Sequence, residues 1–343
     1  MLVTFLDDSV PYDGHSPTSH PLGGGEKIVV GLAAALAKRG HTVRVFNGCK
    51  FPIVADGVSW QPLGDCAAAQ SDWLIAHRNP LLLRKIPNAG KRAMLLSAPG
   101  DTLAKSEPFQ ALNEYRPTLL LHGLAHSLLV PPLLQTYDVG MLPFGVGESY
   151  RDAAPMASVN PPRAVVTTHP LRGFAWLMDV WNARIHPRVP WAELHVYSAV
   201  LHKGALGATV SAEVRPLLEQ AKAAESRGVR LKRPLSDPEM VDVYRQARVH
   251  LYPSSSRDVM CSTLAESQAV GLPGIARRLG ATDERLRDGE TGFLAPDEEA
   301  FANLTVQLLD DTEIFNRLSE AARERRGNLT WDRAAEELER VLA

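Results

Sequence analysis

A charge-free apolar run, Leu2-Val-Thr-Phe-Leu6, is too short to make a helix and reads as a buried strand. A loop over 7–25 ends in Gly23-Gly24-Gly25, and residues 26–39 (EKIVVGLAAALAKR) follow, with helical spacing, a basic last turn and Gly40 as the stop. Thr42-Val-Arg-Val-Phe46 is the next apolar run. Strand, glycine-rich turn, helix and strand in that order form a βαβ unit, which makes the sheet parallel and the crossover right-handed. The alternation continues with strands expected at 72–77, 92–97, 118–121 and 139–142 and a helix at 80–86. Residues 117–137 carry no formal charge, but Pro131-Pro132, His122, His126 and Gln135 interrupt them, so they read as a buried strand followed by a helix. The proline-bearing stretch 153–163 reads as a linker. A second series follows, with strands at 164–168, 193–197, 229–232, 249–252 and 272–276 and helices at 174–185, 213–224, 238–247 and 264–270. From 297 onward the chain is helical, ending in a helix over 331–342. The expected fold class is α/β, with two doubly wound domains at 1–155 and 156–329 and the helix 330–343 packing back on the first. Two such domains facing each other set the carboxyl ends of both sheets around an interdomain cleft, where ligands of such folds bind.

With 343 residues, each domain has enough chain for its own core. Lys+Arg number 37 against 39 Asp+Glu, with no charged tail, so there is no basic field for a nucleic-acid partner. Cys49, Cys66 and Cys261 lie far apart without metal-ligand spacing, which fits a reducing compartment. Residues 1–8 hold no basic segment ahead of an apolar one, so no secretory leader is expected. The expectation is a soluble, cytoplasmic protein.

Three stretches carry chemistry. Gly24 and Gly25 open a helix, where free N–H groups and the macrodipole favour an anion; taken alone, a plain tight strand-to-helix turn explains them slightly better. Asp258 and Glu266 flank Val259-Met-Cys-Ser-Thr-Leu-Ala265 just after an apolar strand. With a helix beginning near Val259, Asp258 sits at its N-terminus and Glu266 about two turns in, on a similar face. The amides of Met260, Cys261, Ser262 and Thr263 then face a phosphate or sugar hydroxyl, and Glu266 can accept two hydrogen bonds from a ribose diol. The bland alternative is an Asp cap and a surface Glu. In Thr167-Thr-His-Pro-Leu-Arg-Gly173 a strand ends and a helix starts, so Arg172 is placed to pair with a diphosphate or to sit in water. His77 closes a strand in the same way.

These segments resemble the retaining glycosyltransferases of family four. Gly24-Gly25-Glu26 through Leu36 with Arg39-Gly40-His41-Thr-Val43 look like that family's first glycine-rich loop and helix. Leu142-Pro-Phe-Gly-Val146 looks like its segment before the linker, and Pro170-Leu-Arg-Gly173 like its Lys-Gly phosphate site. The stretch 244–294 is the most specific, with seven residues between the two acids, Gly271-Leu-Pro273 and Asp288-Gly-Glu-Thr-Gly-Phe293. Thr330-Trp-Asp332 opens a final helix like the one that crosses back in that family.

The resemblance implies the GT-B fold, two Rossmann-like domains, and transfer of a hexosyl group from a nucleoside-diphosphate sugar to a hydroxyl acceptor with retention. It implies Glu266 on the ribose, Asp258 near the sugar hydroxyls, and Arg172 with the amides of Gly24 and Gly25 on the departing diphosphate. Arg172, Asp258 and His77 are the candidate catalytic residues. Gly24, Gly25, Arg172, Met260, Cys261, Ser262, Thr263 and Glu266 are the candidate donor-binding ones. No metal and no resident cofactor is expected, and peripheral contact with the inner face of a membrane is compatible with the acceptor classes. The sequence departs from the family in having Asp258 for Glu, Val259 and Cys261 for glycines, Arg172 for Lys, and Leu96-Ser97-Ala98-Pro99 where many members carry a His. Those departures keep two alternatives open: a catalytically weak sugar-nucleotide binding subunit, and a nucleotide-sugar epimerase or sugar phosphorylase.

Overall fold

The structure, a computed structural model, describes residues 1–67, 69–157 and 159–343. It divides into two units, residues 1–147 with 328–343 and residues 148–327, each built on its own sheet.

The first sheet contains β1 (Leu2–Leu6), β2 (Thr42–Asn47), β3 (Ile53–Ala55), β4 (Val58–Pro62), β5 (Ser71–His77), β6 (Ala89–Leu95), β7 (Thr118–Leu121) and β8 (Val139–Met141). Their order is β3-β4-β2-β1-β5-β6-β7-β8, parallel throughout except for β3 against β4. β1 lies at the centre, in register Val3 to Val43 on one side and Val3 to Trp73 on the other. Its Val3, Phe5 and Leu6 are wholly buried, which is why this strand has no alternation. The helix Gly24–Lys38 covers the sheet with Ile28, Val29, Leu32, Ala33 and Leu36.

The C-terminal helix Trp331–Leu342 belongs to this unit. The Trp331 indole fills the space a Cβ would take at Gly31 and Gly145, and Val341 does the same at Gly140. Arg39 donates from Nε and Nη2 to the two carboxylate oxygens of Glu339, each at 2.8 Å, a bidentate clamp.

The second sheet contains β9 (Arg163–Val166), β10 (Glu193–Tyr197), β11 (Val229–Lys232), β12 (Val249–Tyr252), β13 (Gly274–Arg277) and β14 (Gly292–Ala295), ordered β11-β10-β9-β12-β13-β14 and all parallel. Leu177, Trp181, Leu194, Leu251, Ile275 and Phe301 are among the side chains of its own core.

Several expectations need correction. The first unit ends at Gly147 rather than at 155, because the turn Glu148–Arg151 carries a fully buried Tyr150 whose hydroxyl donates to Asp237 of the second unit's body at 2.9 Å. Of the expected linker 153–163, the carbonyls of Ala153 and Ala154 accept from Arg323, and Ser158 lies outside the described residues. The helix expected at 80–86 is a single 3-10 stretch, Pro80–Arg84, started by Asn79, which accepts from the Leu81 amide. After β7 the chain forms only short turns, Leu124–Ser127 and Pro132–Leu134. No helix among the described residues is long and apolar enough to cross a membrane.

Candidate active site

In each sheet the chain reverses its direction of growth once, between β1 and β5 in the first and between β9 and β12 in the second. Side chains just beyond the carboxyl ends of those strands border the crevice where doubly wound folds take ligands.

In the second unit the β9 end runs into Arg172-Gly173 and the β12 end into residues 253–258. Gly173 has φ +81°, and a Cβ there would lie 2.9 Å from the Ser254 carbonyl and 3.0 Å from Pro253. Only glycine lets the two loops touch. Arg172 Nη1 then donates to Asp258 Oδ1 at 2.5 Å, and Asp258 Oδ2 accepts from the Ser255 amide at 2.9 Å. Asp258 is 1% exposed, whereas the Arg172 side chain is 51% exposed and its Nε and Nη2 have no partner among the described residues. The arrangement is a buried anion anchoring a cation that keeps donors for something outside.

The helix expected to begin near Val259 begins at Ser262 (Ser262–Val270). Cys261 stands in the left-handed region at φ +46°, Asp258 closes a turn back on the Ser255 carbonyl, and its own carbonyl accepts from the Ala281 amide at 2.8 Å. Asp258 is therefore no helix cap and does not share a helix with Glu266. Met260 and Cys261 precede the helix, and the Met260 carbonyl accepts from Arg285 Nε at 2.9 Å. Ser262 and Thr263 alone of the four expected residues place amides in the first helical turn. Burial first, then the Asp258 charge, pushes the Cys261 thiol up to about 12, so it is no nucleophile.

Behind the helix start runs a polar chain. Thr167 Oγ1 donates to Thr263 Oγ1 at 2.8 Å and meets His250 Nε2 at 3.0 Å, and His250 Nδ1 meets Ser267 Oγ at 2.8 Å. Burial drives His250 down to about 3, so its ring is neutral. Glu266 is 5% exposed, in the second turn. Its charge adds to burial in keeping the Tyr150 and Tyr244 phenols protonated.

In the first unit Asp7, just past β1, is 1% exposed. Oδ1 accepts from the Ser9 amide at 2.9 Å, while Oδ2 accepts from the Tyr12 hydroxyl at 2.6 Å and contacts His77 Nδ1 at 2.9 Å. Burial alone raises the Asp7 carboxyl, but the hydrogen bond and charge of His77, with Tyr12, outweigh it and hold the group well below the usual carboxylate range. His77 Nε2 meets Ser97 Oγ at 2.9 Å. Arg78, at φ +60°, donates from Nε to Ser97 Oγ and from Nη1 to Glu26 Oε1, both at 2.6 Å. Its Nη2 occupies the place a Cβ would take on Gly25. The N-cap residue of the helix opened by Gly24 and Gly25 is Gly23, which has no side chain to cap it. His77, expected as a catalytic side chain, is wholly buried between Asp7 and Ser97, so it reaches anything outside only through Ser97.

The structure thus gathers Arg172, Asp258, Ser262 and Thr263 in one unit and Gly24, Gly25 and His77 in the other. Sequence reasoning missed Asp7, Arg78, Ser97 and Glu26. The signal for three of them was position, since Asp7, Arg78 and Ser97 stand one or two places beyond apolar strands. Among the described residues no group of three His, Cys, Asp or Glu side chains is arranged to hold a metal ion.

Comparison with known proteins bears on both halves. Residues 164–311 match the family model described as "Glycosyl transferases group 1". A D-inositol 3-phosphate glycosyltransferase of Corynebacterium diphtheriae is 38% identical over 115 residues, which are 33% of this chain and 27% of that protein. The Streptomyces coelicolor protein of the same name is 31% identical over 109 residues, 31% of this chain and 24% of that one. The matched stretch thus spans about a quarter of the length of these curated relatives. Whole-chain similarity is structural. The sucrose-phosphate synthase of Thermosynechococcus elongatus superposes with TM-score 0.75 at 16% identity, covering 99% of this chain and 97% of that one. The Anabaena protein HepE, solved with UDP and glucose, gives 0.70 at 14% identity, covering 100% and 99%. At such identities the likeness speaks for the fold. Residues 164–311 form a glycosyl transferases group 1 domain, carried in a chain of GT-B fold.

Proposed function

We propose that this chain is a retaining glycosyltransferase that moves a hexosyl group from a nucleoside-diphosphate sugar to a hydroxyl of a glycan, a lipid-linked or a small-molecule acceptor. The observation that carries the reading is the buried Asp258 holding a half-exposed Arg172 at the reversal between β9 and β12. The names of the curated relatives and the UDP and glucose bound to HepE support the substrate class.

In this reading Arg172 takes the diphosphate with its open Nε and Nη2, and the amides of Ser262 and Thr263 add the field of a helix start. Asp258 fixes Arg172 and lies near the sugar hydroxyls, and Glu266 takes the ribose. Gly24 and Gly25 offer the first unit's amides to phosphate. Bond breaking separates an oxocarbenium-like sugar from an anionic leaving group, so donors already aimed at that anion strengthen as the transition state is approached. A fixed guanidinium and helix amides can supply the positive field of a divalent ion, and the sugar nucleotide is a substrate rather than a resident cofactor. The leaving phosphate itself can take the acceptor proton, so His77 need not touch the acceptor. The reading places the protein in the cytoplasm, with peripheral contact to a membrane where the acceptor is lipid-linked.

A panel of nucleoside-diphosphate sugars, screened by melting temperature, tests it. One donor is expected to raise the midpoint by several degrees, since about 2.7 kcal/mol accrues at a hundredfold excess over Kd. That donor should then release nucleoside diphosphate in the presence of a hydroxyl acceptor. If no sugar nucleotide binds, the reading fails. Binding without turnover makes the chain a sugar-nucleotide binding subunit, and free sugar or sugar phosphate as product makes it an epimerase or phosphorylase.

A further inference from the structure

Asp7, His77 and Ser97 come from the ends of three neighbouring strands, β1, β5 and β6, and form one hydrogen-bonded line with Oδ2 to Nδ1 at 2.9 Å and Nε2 to Oγ at 2.9 Å. An ionised carboxylate only accepts, so His77 carries a proton on Nδ1. Ser97 has one hydrogen to give, and its oxygen already receives Arg78 Nε–H at 2.6 Å. With a neutral ring, Ser97 donates to Nε2 and every group in the line is satisfied inside the protein. With a charged ring, Nε2–H and Arg78 Nε–H converge on the same oxygen and the hydroxyl hydrogen must turn elsewhere. The line therefore links the proton on His77 to the seat of Arg78.

Arg78 is the part that meets the outside. Its side chain is 37% exposed, its Nη2 has no partner among the described residues, and it lies against Gly25 at the helix start. Its backbone sits in the left-handed region, a conformation that persists only where the surroundings over-determine it.

We propose that Asp7, His77 and Ser97 form a positioning triad for Arg78, which ties the placement of that guanidinium to the protonation of His77. In the reading above, on which the choice of ligand rests, the anion that Arg78 meets is the phosphate taken by the amides of Gly24 and Gly25 in the same unit. The other polar groups packed around the line are accounted for. Tyr12 donates to Asp7, Glu26 pairs with Arg78, and Asp8 is held by Asn79 at 2.6 Å. His126, whose Nε2 meets the Ala98 carbonyl beside Ser97 at 3.1 Å, is pushed by burial down to about 4 and stays neutral above that.

Two measurements on the full chain test the proposal. Without ligand, the Arg78 Nε–H resonance is expected to follow the protonation state of the His77 ring, read from the ring's own signals, and Ser97→Ala is expected to break that link. With the donor found by screening, kcat/KM is expected to fall on the acid side. Ser97→Ala should flatten that limb and lower kcat/KM at neutral pH by about tenfold or more, the size of one charge-assisted hydrogen bond. Arg78→Lys, which keeps the charge on a partly exposed stem but loses Nε, should show the same flattened limb and serves if Ser97→Ala does not fold. An Arg78 resonance in the unmodified protein that ignores His77 overturns the triad, as does a pH profile unchanged in both variants. If no sugar nucleotide binds but the resonance still follows His77, the triad stands and the donor reading alone is lost.

Discussion

Arg172 gives one N–H to Asp258 and its Nε and Nη2 have no partner among the described residues, while Asp258, at 1% exposure, depends on that bond and on the Ser255 amide. Arg172→Ala is therefore expected to do two separable things. Stability should fall by about 1–3 kcal/mol, because a buried carboxylate loses its charged partner. In the proposed reaction, turnover should fall by more than the donor KM rises, because charge on the leaving group grows toward the transition state. Denaturant midpoints read the first and steady-state kinetics the second; normal turnover would make Arg172 a purely structural partner of Asp258. His250 gives a pH prediction. Its value is lowered by burial to about 3 against an ordinary 6.5, so below 6.5 the unfolded chain binds a proton that the native state refuses. Native stability should then decline as pH falls from 6.5 toward 3, and His250→Gln should make that decline shallower. An equally steep loss in the variant would assign it to other groups, such as His126. Arg172 and Asp258 were legible in the sequence because short spacings and strand ends mark them. The Asp258 cap was misread because a non-glycine residue, Cys261, takes the left-handed position that delays the helix. The Asp7–His77–Ser97 line was not legible, since it depends on which three strands lie side by side.

At the scale of elements, some strands that are short runs rich in apolar residues between clear stops were legible to the residue, while the bounds of β6, β9 and β13 lie one to three residues from those expected. β10, β11 and β12 stand where the sequence puts them. The β3–β4 hairpin escaped although its sign was present: Asp56-Gly57 has φ +51° and +75°, the two left-handed positions of a two-residue turn. Strands of three and five residues ending in Pro62 carry too little alternation to announce themselves. The helix at 174–185 was legible, but not its finish as a π turn from Trp181 to Ile185. Gly173 is the element-scale test of the site, since it joins the β9 loop to the helix Phe174–Val180. Gly173→Ala is expected to cost about 1–2 kcal/mol for the left-handed backbone alone. The methyl group must also push away the Ser254 carbonyl, which should weaken donor binding along with stability. A variant that melts lower but binds donor as before would separate this turn from the site.

The chain enters its first unit twice, and this decides how the molecule can be cut. Residues 148–327 are continuous and contain a core of their own. Expressed alone, they are expected to unfold cooperatively and to bind the nucleoside diphosphate through Arg172, Ser262 and Thr263. Residues 1–147 are in a different position, because Trp331 packs into the room left at Gly31 and Gly145 and Val341 into that at Gly140, and Arg39 finds its carboxylate on Glu339. The Val146 amide also donates to the Leu329 carbonyl at 3.0 Å. Without 328–343, three glycine-lined hollows and the side of the helix Gly24–Lys38 that meets Trp331 open to water, at a cost of about 25 cal/mol per Å² of apolar surface exposed. The 1–147 fragment should therefore unfold at much lower urea than the whole chain, and a synthetic 328–343 peptide added in excess should raise its midpoint by mass action. If the fragment proves as stable without the peptide as with it, the C-terminal helix is a removable cover, and the small residues at 31, 140 and 145 need another explanation.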